Sequence, residues 1–166
     1  MIVRPVEARD FDAWAAMRRR LWSDIDPAEL DSEFAGLLAD SPPYLAFVAE
    51  RPDGRLAGFA EASVRSVAEG APDGPAAYLE GIWVEPEDRR SGVATALLAA
   101  VERWALDQGL AHLGSDALLD NEASHRWHLQ SGFGEVVRLV VFGKALPLPA
   151  GEDQTGPAAA STPEAT

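Results

Sequence analysis

The sequence predicts a single α/β domain, a central sheet with helices packed against it, and three observations carry that prediction. Stretches rich in β-forming residues alternate with stretches of helical period over roughly residues 1 to 145. One continuous run, Tyr78 to Leu106, joins a buried strand, a glycine-containing turn and an amphipathic helix. The 166 residues are 47% apolar, enough for one core, yet no apolar run approaches the roughly 20 residues that a membrane span needs.

The elements follow in chain order. Ile2 to Val6 reads as a first strand. Asp10 is the expected N-cap of a helix through about Leu21, with Phe11, Trp14, Met17, Arg18 and Leu21 at helical spacing. Trp22 stands at its end, beside Ser23-Asp24-Ile25-Asp26-Pro27. Pro27 opens a second helix, whose apolar stripe is Leu30, Phe34, Leu37 and Leu38, and Asp40-Ser41-Pro42-Pro43 closes it. Tyr44 to Glu50 and Arg55 to Val67 are strands joined by a turn at Pro52-Asp53-Gly54, with Glu61 and Ser63 on one face by period two. Ala68 to Pro75 is a loop.

After the strand Tyr78 to Val84, Pro86 ends the ladder because it has no N–H to donate. Val93, Leu97, Val101 and Trp104 then mark the buried stripe of a helix that Gly109 stops. His112 to Leu118 is predicted as a strand, Asp120-Asn121 as the cap of a short helix to about Gly132, and Phe133 to Lys144 as the last strand. The domain is placed at residues 1–146. Residues 147–166, rich in Pro, Ala, Gly and Thr without periodicity, are expected to be a disordered tail.

Composition narrows the function. With no cysteine the chain has no disulfide, no cysteine metal site and no thiolate nucleophile, and no metal is expected. Its formal net charge is −13, from 14 Lys plus Arg against 27 Asp plus Glu, which makes nucleic acid a poor partner and a cationic substrate a good one. The N-terminus carries no signal-peptide pattern, so a cytoplasmic protein without membrane attachment is expected.

The run from Tyr78 holds the sharpest chemistry. The first turn of its helix presents unpaired N–H groups and the positive end of the macrodipole, Gly92 lets an anion approach the backbone, and Arg89 and Arg90 supply charge. No Gly-Lys-Ser/Thr follows, which removes the P-loop reading. The segment reads as a pyrophosphate cradle.

Arg89-Arg90-Ser91-Gly92-Val93-Ala94, after a strand ending Val84-Glu85-Pro86, resembles the acyl-CoA signature of the GNAT superfamily of N-acetyltransferases. Leu79-Glu80-Gly81-Ile82-Trp83-Val84, Ser115-Asp116-Ala117, Leu119-Asp120-Asn121, Ser124-His125 and the early Leu21-Trp22 are similar to aminoglycoside 6′-N-acetyltransferases. The resemblance implies the GNAT acyl-CoA N-acyltransferase fold, with a mixed central sheet flanked by helices, acetyl-CoA as co-substrate, and a homodimer through the C-terminal strand. It implies that acetyl-CoA is held by Arg89, Arg90, Ser91, Gly92, Val93, Ala94 and Thr95 at the phosphates. Ile82, Trp83 and Val84 would meet the thioester and pantetheine through their backbones, and Asn121 would meet the pantetheine arm. Trp22 would line the acceptor site and stack on a sugar, with core packing as the competing reading. Similar proteins carry an acid near Val137, which this chain lacks.

Acetylating an amine requires a deprotonated nitrogen and a proton for the departing thiolate. Glu80 and Asp116 each interrupt an apolar strand, which is costly unless the acid faces a cleft or an ion pair. Gly81 permits a bulge that re-aims its neighbours. Glu80, with a water, is the preferred base, although either acid can take the proton while the other holds a second ammonium. A buried ion pair with an arginine is the competing reading for Glu80. His128, four residues before Gly132-Phe133 where many GNAT enzymes place a tyrosine, is the candidate proton donor to the thiolate. A solvent-facing histidine is its alternative, and His125 is the weaker candidate. Three functions stand at this point: acetylation of an aminoglycoside, acetylation of another cationic amine such as a polyamine or protein N-terminus, and a CoA-binding module without turnover.

Overall fold

The computed structural model describes residues 1–23, 25–39 and 44–146. Asp24, the helix-closing Asp40–Pro43 and the expected tail at 147–166 lie outside the described residues. Five strands form one sheet in sequential order: β1 (Ile2–Pro5), β2 (Tyr44–Glu50), β3 (Leu56–Arg65), β4 (Ala76–Val84) and β5 (Leu113–Ser115). The first four pair antiparallel, and β5 joins β4 in parallel, which makes the sheet mixed. Four helices cover it: α1 (Phe11–Leu21), α2 (Pro27–Leu38), α3 (Val93–Asp107) and α4 (Glu122–Gln130). No helix among the described residues is long and apolar enough to cross a membrane.

The sheet is buried on both faces. On one, Trp14 and Met17 of α1 and Leu30 and Phe34 of α2 pack on Val48 and Phe59, all within a few per cent of full burial. On the other, Val93, Leu97 and Val101 of α3 lie over the small residues Ala57, Ala60 and Ala62 and over Leu79. Each large apolar side chain so buried contributes about 1.5–3 kcal/mol relative to exposure. The helical spacing in the sequence had identified these stripes, except that Leu38 is 41% exposed.

Three expectations need correction. Asp10 does not cap α1 with its side chain; its carboxylate accepts the Glu7 N–H at 2.8 Å and takes two hydrogen bonds from Arg4, closing a short 3-10 turn at Ala8–Asp10. The fifth strand is only Leu113–Ser115, so Asp116 lies just past its end and not in mid-strand. Its pairing stops at Leu79↔Ser115, one residue before the irregularity in the pairing of β4 with β3.

The third correction concerns residues 133–146, which form no strand. Val140, Val141 and Phe142 are 74%, 90% and 90% exposed. β propensity expresses fit to a pleated, half-covered surface, and a strand needs a ladder partner. Within one copy, this segment pairs with nothing among the described residues.

Candidate active site

The site begins at an irregularity in β4. Glu61 of β3 faces Gly81 and Ala62 faces Leu79, which leaves Glu80 opposite no residue: it is the extra residue of a bulge. Its carboxylate accepts hydrogen bonds from Arg65 Nε at 3.0 Å and Nη2 at 2.5 Å, and from the Ser63 hydroxyl. The arginine ion pair that competes with a catalytic role for Glu80 is therefore present, but partly exposed, with side-chain exposures of 39% for Arg65 and 20% for Glu80. The Arg65 guanidinium in turn lies over the Tyr78 ring, 3.3 Å from its centroid. The Tyr78 hydroxyl donates to Asp116 Oδ2 at 3.0 Å, and burial together with Asp116 pushes that phenol up, so it stays a donor. Gly114 makes room for this ring, since a Cβ there would stand 2.8 Å from Tyr78 Cδ2.

Glu80 and Asp116 are thus brought together as predicted, but through Arg65 and Tyr78. Arg65, Ser63, Tyr78 and Ser115 were given no role by sequence reasoning. For the first two a signal existed: Glu61, Ser63 and Arg65 alternate along one face of β3.

Trp22 sits directly on Gly81, where a side chain would collide with the indole. It also lies 6.4 Å from Phe59 and under the Arg18 guanidinium. It is packed and partly exposed, so both readings of this residue retain a basis.

Beyond Leu79↔Ser115, the β5-facing edge of β4 has no strand partner among the described residues. The Glu85 N–H turns toward β3, to Ala57 O at 2.8 Å. By alternation Ile82 and Val84 present their amides at the open edge, while the amide of Trp83 faces β3.

Farther along, Gly92 adopts φ +88° with nothing within 4 Å of a Cβ position, a left-handed turn with open space beside it. The first helical bond of α3 is Ala96 N–H to Gly92 O, so the amides of Val93, Ala94 and Thr95 precede it and are free to bind an anion. These features fit a CoA pyrophosphate.

Around them, Arg89 is braced against Val84 O and the Trp83 ring, Arg90 is exposed with φ 62°, and the Ser91 hydroxyl donates to Asp88 O. Arg51 pairs with Glu87 and Asp88 and so compensates the two acids nearest the cradle.

Asn121 is the N-cap of α4, its Oδ1 accepting from Ser124 N–H at 3.1 Å, which leaves its NH₂ as the donor available to a ligand. His128 is not solvent-facing. Its Nδ1 lies 2.8 Å from Ser124 O and its Nε2 3.0 Å from Ser115 Oγ. His125 instead turns to Leu118 O.

A bulged central strand, a forked β4–β5 edge and an anion-ready helix N-terminus are the parts of an acyl-CoA site, and the acetyltransferase (GNAT) family model matches residues 11–133. The chain belongs to the GNAT acetyltransferase family. It is 43% identical over 147 residues to the aminoglycoside N(6′)-acetyltransferase type 1 of Klebsiella aerogenes, covering 87% of this chain and 97% of that one. The protein of the same name from Serratia marcescens is 39% identical, with 82% and 94% covered.

Among solved structures, the apo aminoglycoside 6′-N-acetyltransferase of Acinetobacter haemolyticus superposes with TM-score 0.80 at 36% identity, covering 89% and 100%. AAC(6′)-Iy, in complex with the bisubstrate analogue CoA-S-monomethyl-acetylneamine, does so with TM-score 0.81 at 31% identity, covering 87% and 98%. The GNAT fold expected from the sequence, with its mixed sheet and flanking helices, is the fold observed.

Proposed function

We propose that this GNAT chain is an aminoglycoside 6′-N-acetyltransferase, moving acetyl from acetyl-CoA to a primary amine of the antibiotic. The observation that carries the reading is the meeting of Glu80 and Asp116 at the fork of β4 and β5, beside the anion cradle of α3. The names of similar proteins support it.

The amine must lose a proton before its lone pair attacks the thioester carbon, forming C–N as C–S breaks. Three of the four acceptor positions of Glu80 are filled by Ser63 and Arg65. Asp116 Oδ1 has no donor among the described residues. This favours Asp116 as the proton acceptor, directly or through water, with Glu80 on the opposite lip shaping the cation site. The amides of Ile82 and Val84 are suited to polarise the carbonyl and hold pantetheine.

Location and assembly belong to the same proposal: a cytoplasmic enzyme, where acetyl-CoA is supplied, acting as a homodimer. The β-forming segment 133–146 and the outer edge of β5, unpaired among the described residues, are complementary if two copies exchange them. Light scattering should then give twice 17.7 kDa.

CoA release measured across aminoglycosides with and without a 6′-amine, with polyamines as comparators, tests the activity. Turnover is expected only with the 6′-amine. Release with polyamines or peptides alone would replace the substrate and leave the family standing.

A further inference from the structure

We infer that the proton delivered to the departing thiolate comes from the Ser115 hydroxyl, and that His128 acts behind it as the relay that reloads it. The inference rests on the acetyl transfer proposed above. The imidazole is fixed on every side. Nδ1 faces Ser124 O at 2.8 Å and Ser124 Oγ at 3.2 Å, and because a carbonyl only accepts, Nδ1 carries a hydrogen. The ring is held edge-to-face between Trp127, 4.9 Å away, and Phe133, 5.1 Å away. Nε2 has one hydrogen-bond partner among the described residues, Ser115 Oγ at 3.0 Å. His128 cannot swing toward the opening without giving up both ring contacts and its carbonyl.

Ser115 has what a relay needs. Its Oγ lies 3.1 Å from Leu79 O and 3.0 Å from His128 Nε2, and a hydroxyl has a single hydrogen to give. When Nε2 is protonated it donates to Oγ, and the hydroxyl donates to Leu79 O. When Nε2 is bare, the hydroxyl turns and donates to it. The Ser115–His128 hydrogen bond is kept in both states and only its direction reverses, at the cost of the hydroxyl's bond to Leu79 O, so a proton can pass along it without the two side chains parting.

The place is also right. Leu79↔Ser115 is the last pair before the strands part, and Glu80 and Asp116 are the next residues on each strand. Side chains alternate, so Ser115 points toward α4 while Asp116 points toward Tyr78. The acid that takes the amine proton and the hydroxyl that supplies the thiolate proton therefore lie on opposite faces of the fork. That separation keeps the group that takes a proton from the amine apart from the group that gives one to sulfur.

The step balances. C–N forms, and the C–S electron pair stays on sulfur. Sulfur takes the Ser115 hydrogen, and the His128 Nε2 hydrogen moves to Oγ. His128 is left neutral with its Nδ1–H still on Ser124 O, and solvent returns the proton before the next turnover.

The test compares Ser115→Ala, His128→Phe and the double variant, with acetyl-CoA affinity measured by calorimetry to establish that the site is retained. Each single change is expected to lower kcat by about 10²-fold, and the double variant no further, since both break one chain. With the acetyl thioester of 4-nitrothiophenol, whose thiolate leaves without a proton, all three losses should shrink toward none. A purely structural role would not produce that difference. The relay is overturned if Ser115→Ala turns over normally, if the two losses multiply, or if the acidic thiol donor shows the same loss. The amine used is whichever the wild type acetylates, so a wrong acceptor assignment shows in the wild-type substrate survey and not in these ratios.

Discussion

Arg65 puts a resident cation inside a site proposed to bind cations, and removing it should strengthen acceptor binding. Glu80, Asp116 and Arg65 together carry one net negative charge. Arg65→Met keeps an apolar stem over Tyr78 and raises that charge to two. For an incoming ammonium about 5 Å away, one unit charge is worth about 0.8 kcal/mol in a water-like medium and about 3 kcal/mol at an effective dielectric of 20. The Arg65 side chain is 39% exposed, which selects the lower end, about 0.8–1.5 kcal/mol. KM for a cationic acceptor should fall about 4- to 12-fold at low salt, with the gain fading as salt rises. Glu80→Gln strands Arg65 without its partner and should raise KM by a similar factor. The double variant Arg65→Met/Glu80→Gln restores the net charge and should return near wild type. Initial rates at two ionic strengths test this. If Arg65→Met raises KM as Glu80→Gln does, Arg65 is scaffolding for Glu80 and the charge argument is wrong.

Asp116→Asn should cut turnover by about 10²–10⁴-fold with acetyl-CoA affinity unchanged, because it removes the proposed proton acceptor and leaves the cradle intact; equal turnover in a stopped-assay comparison would exclude that role. Gly92→Ala forces a Cβ into a left-handed backbone at a cost of about 1–2 kcal/mol, whereas Gly92→Asp adds a carboxylate beside the cradle. Calorimetry should therefore show a weakened acetyl-CoA complex in the first and none in the second. Asp10 is buried, which alone would raise its pKa, but the Arg4 hydrogen bonds and the Glu7 amide hold it below the usual carboxylate value. Its stabilisation is present above the unfolded value near 4 and is lost as pH falls through the lower folded value. Asp10→Asn should cost about 3 kcal/mol at pH 7, the low end for a broken buried pair because Arg4 keeps Glu50, and chemical denaturation should show the gap closing in acid.

What the sequence made legible was local. The cradle is a turn and a helix start, five or six consecutive residues whose backbone geometry follows from Gly92 and the period of Val93, Leu97 and Val101. The bulge at Glu80 was foreseeable from Gly81 beside it. The acceptor lip was only half visible, because it is assembled across three strands. Arg65 reaches Glu80 from fifteen residues away, and Tyr78 reaches Asp116 from thirty-eight. No spacing rule encodes such pairs; register does, and register is a tertiary result. The expected strand at Phe133–Lys144 failed for the complementary reason. Its β-forming residues are real, but propensity does not supply the ladder partner that would use them.

The wall behind the acceptor lip shows the same long reach at an energetic cost. Glu61 is 6% exposed, and burial pushes its carboxyl up despite Arg18 and the Trp14 indole, which donates at 2.7 Å. An acid with a raised folded pKa favours the folded state less as pH climbs from its unfolded value toward the folded one, so at neutral pH Glu61 works against stability. Its partner is imperfect as well: Arg18 Nε comes within 3.2 Å but makes no aligned hydrogen bond. Apolar residues of similar volume would pack this position at lower cost. What the pair contributes is placement. Glu61 anchors Arg18, whose guanidinium lies 5.0 Å from the ring centres of both Trp14 and Trp22. Trp22 donates its N–H to Arg18 O at the end of α1 and lies against Gly81, one residue from Glu80. A buried acid on β3 thus fixes an indole beside Gly81, at the rim of the proposed acceptor site, and the stability it forgoes is spent on holding that rim in one place.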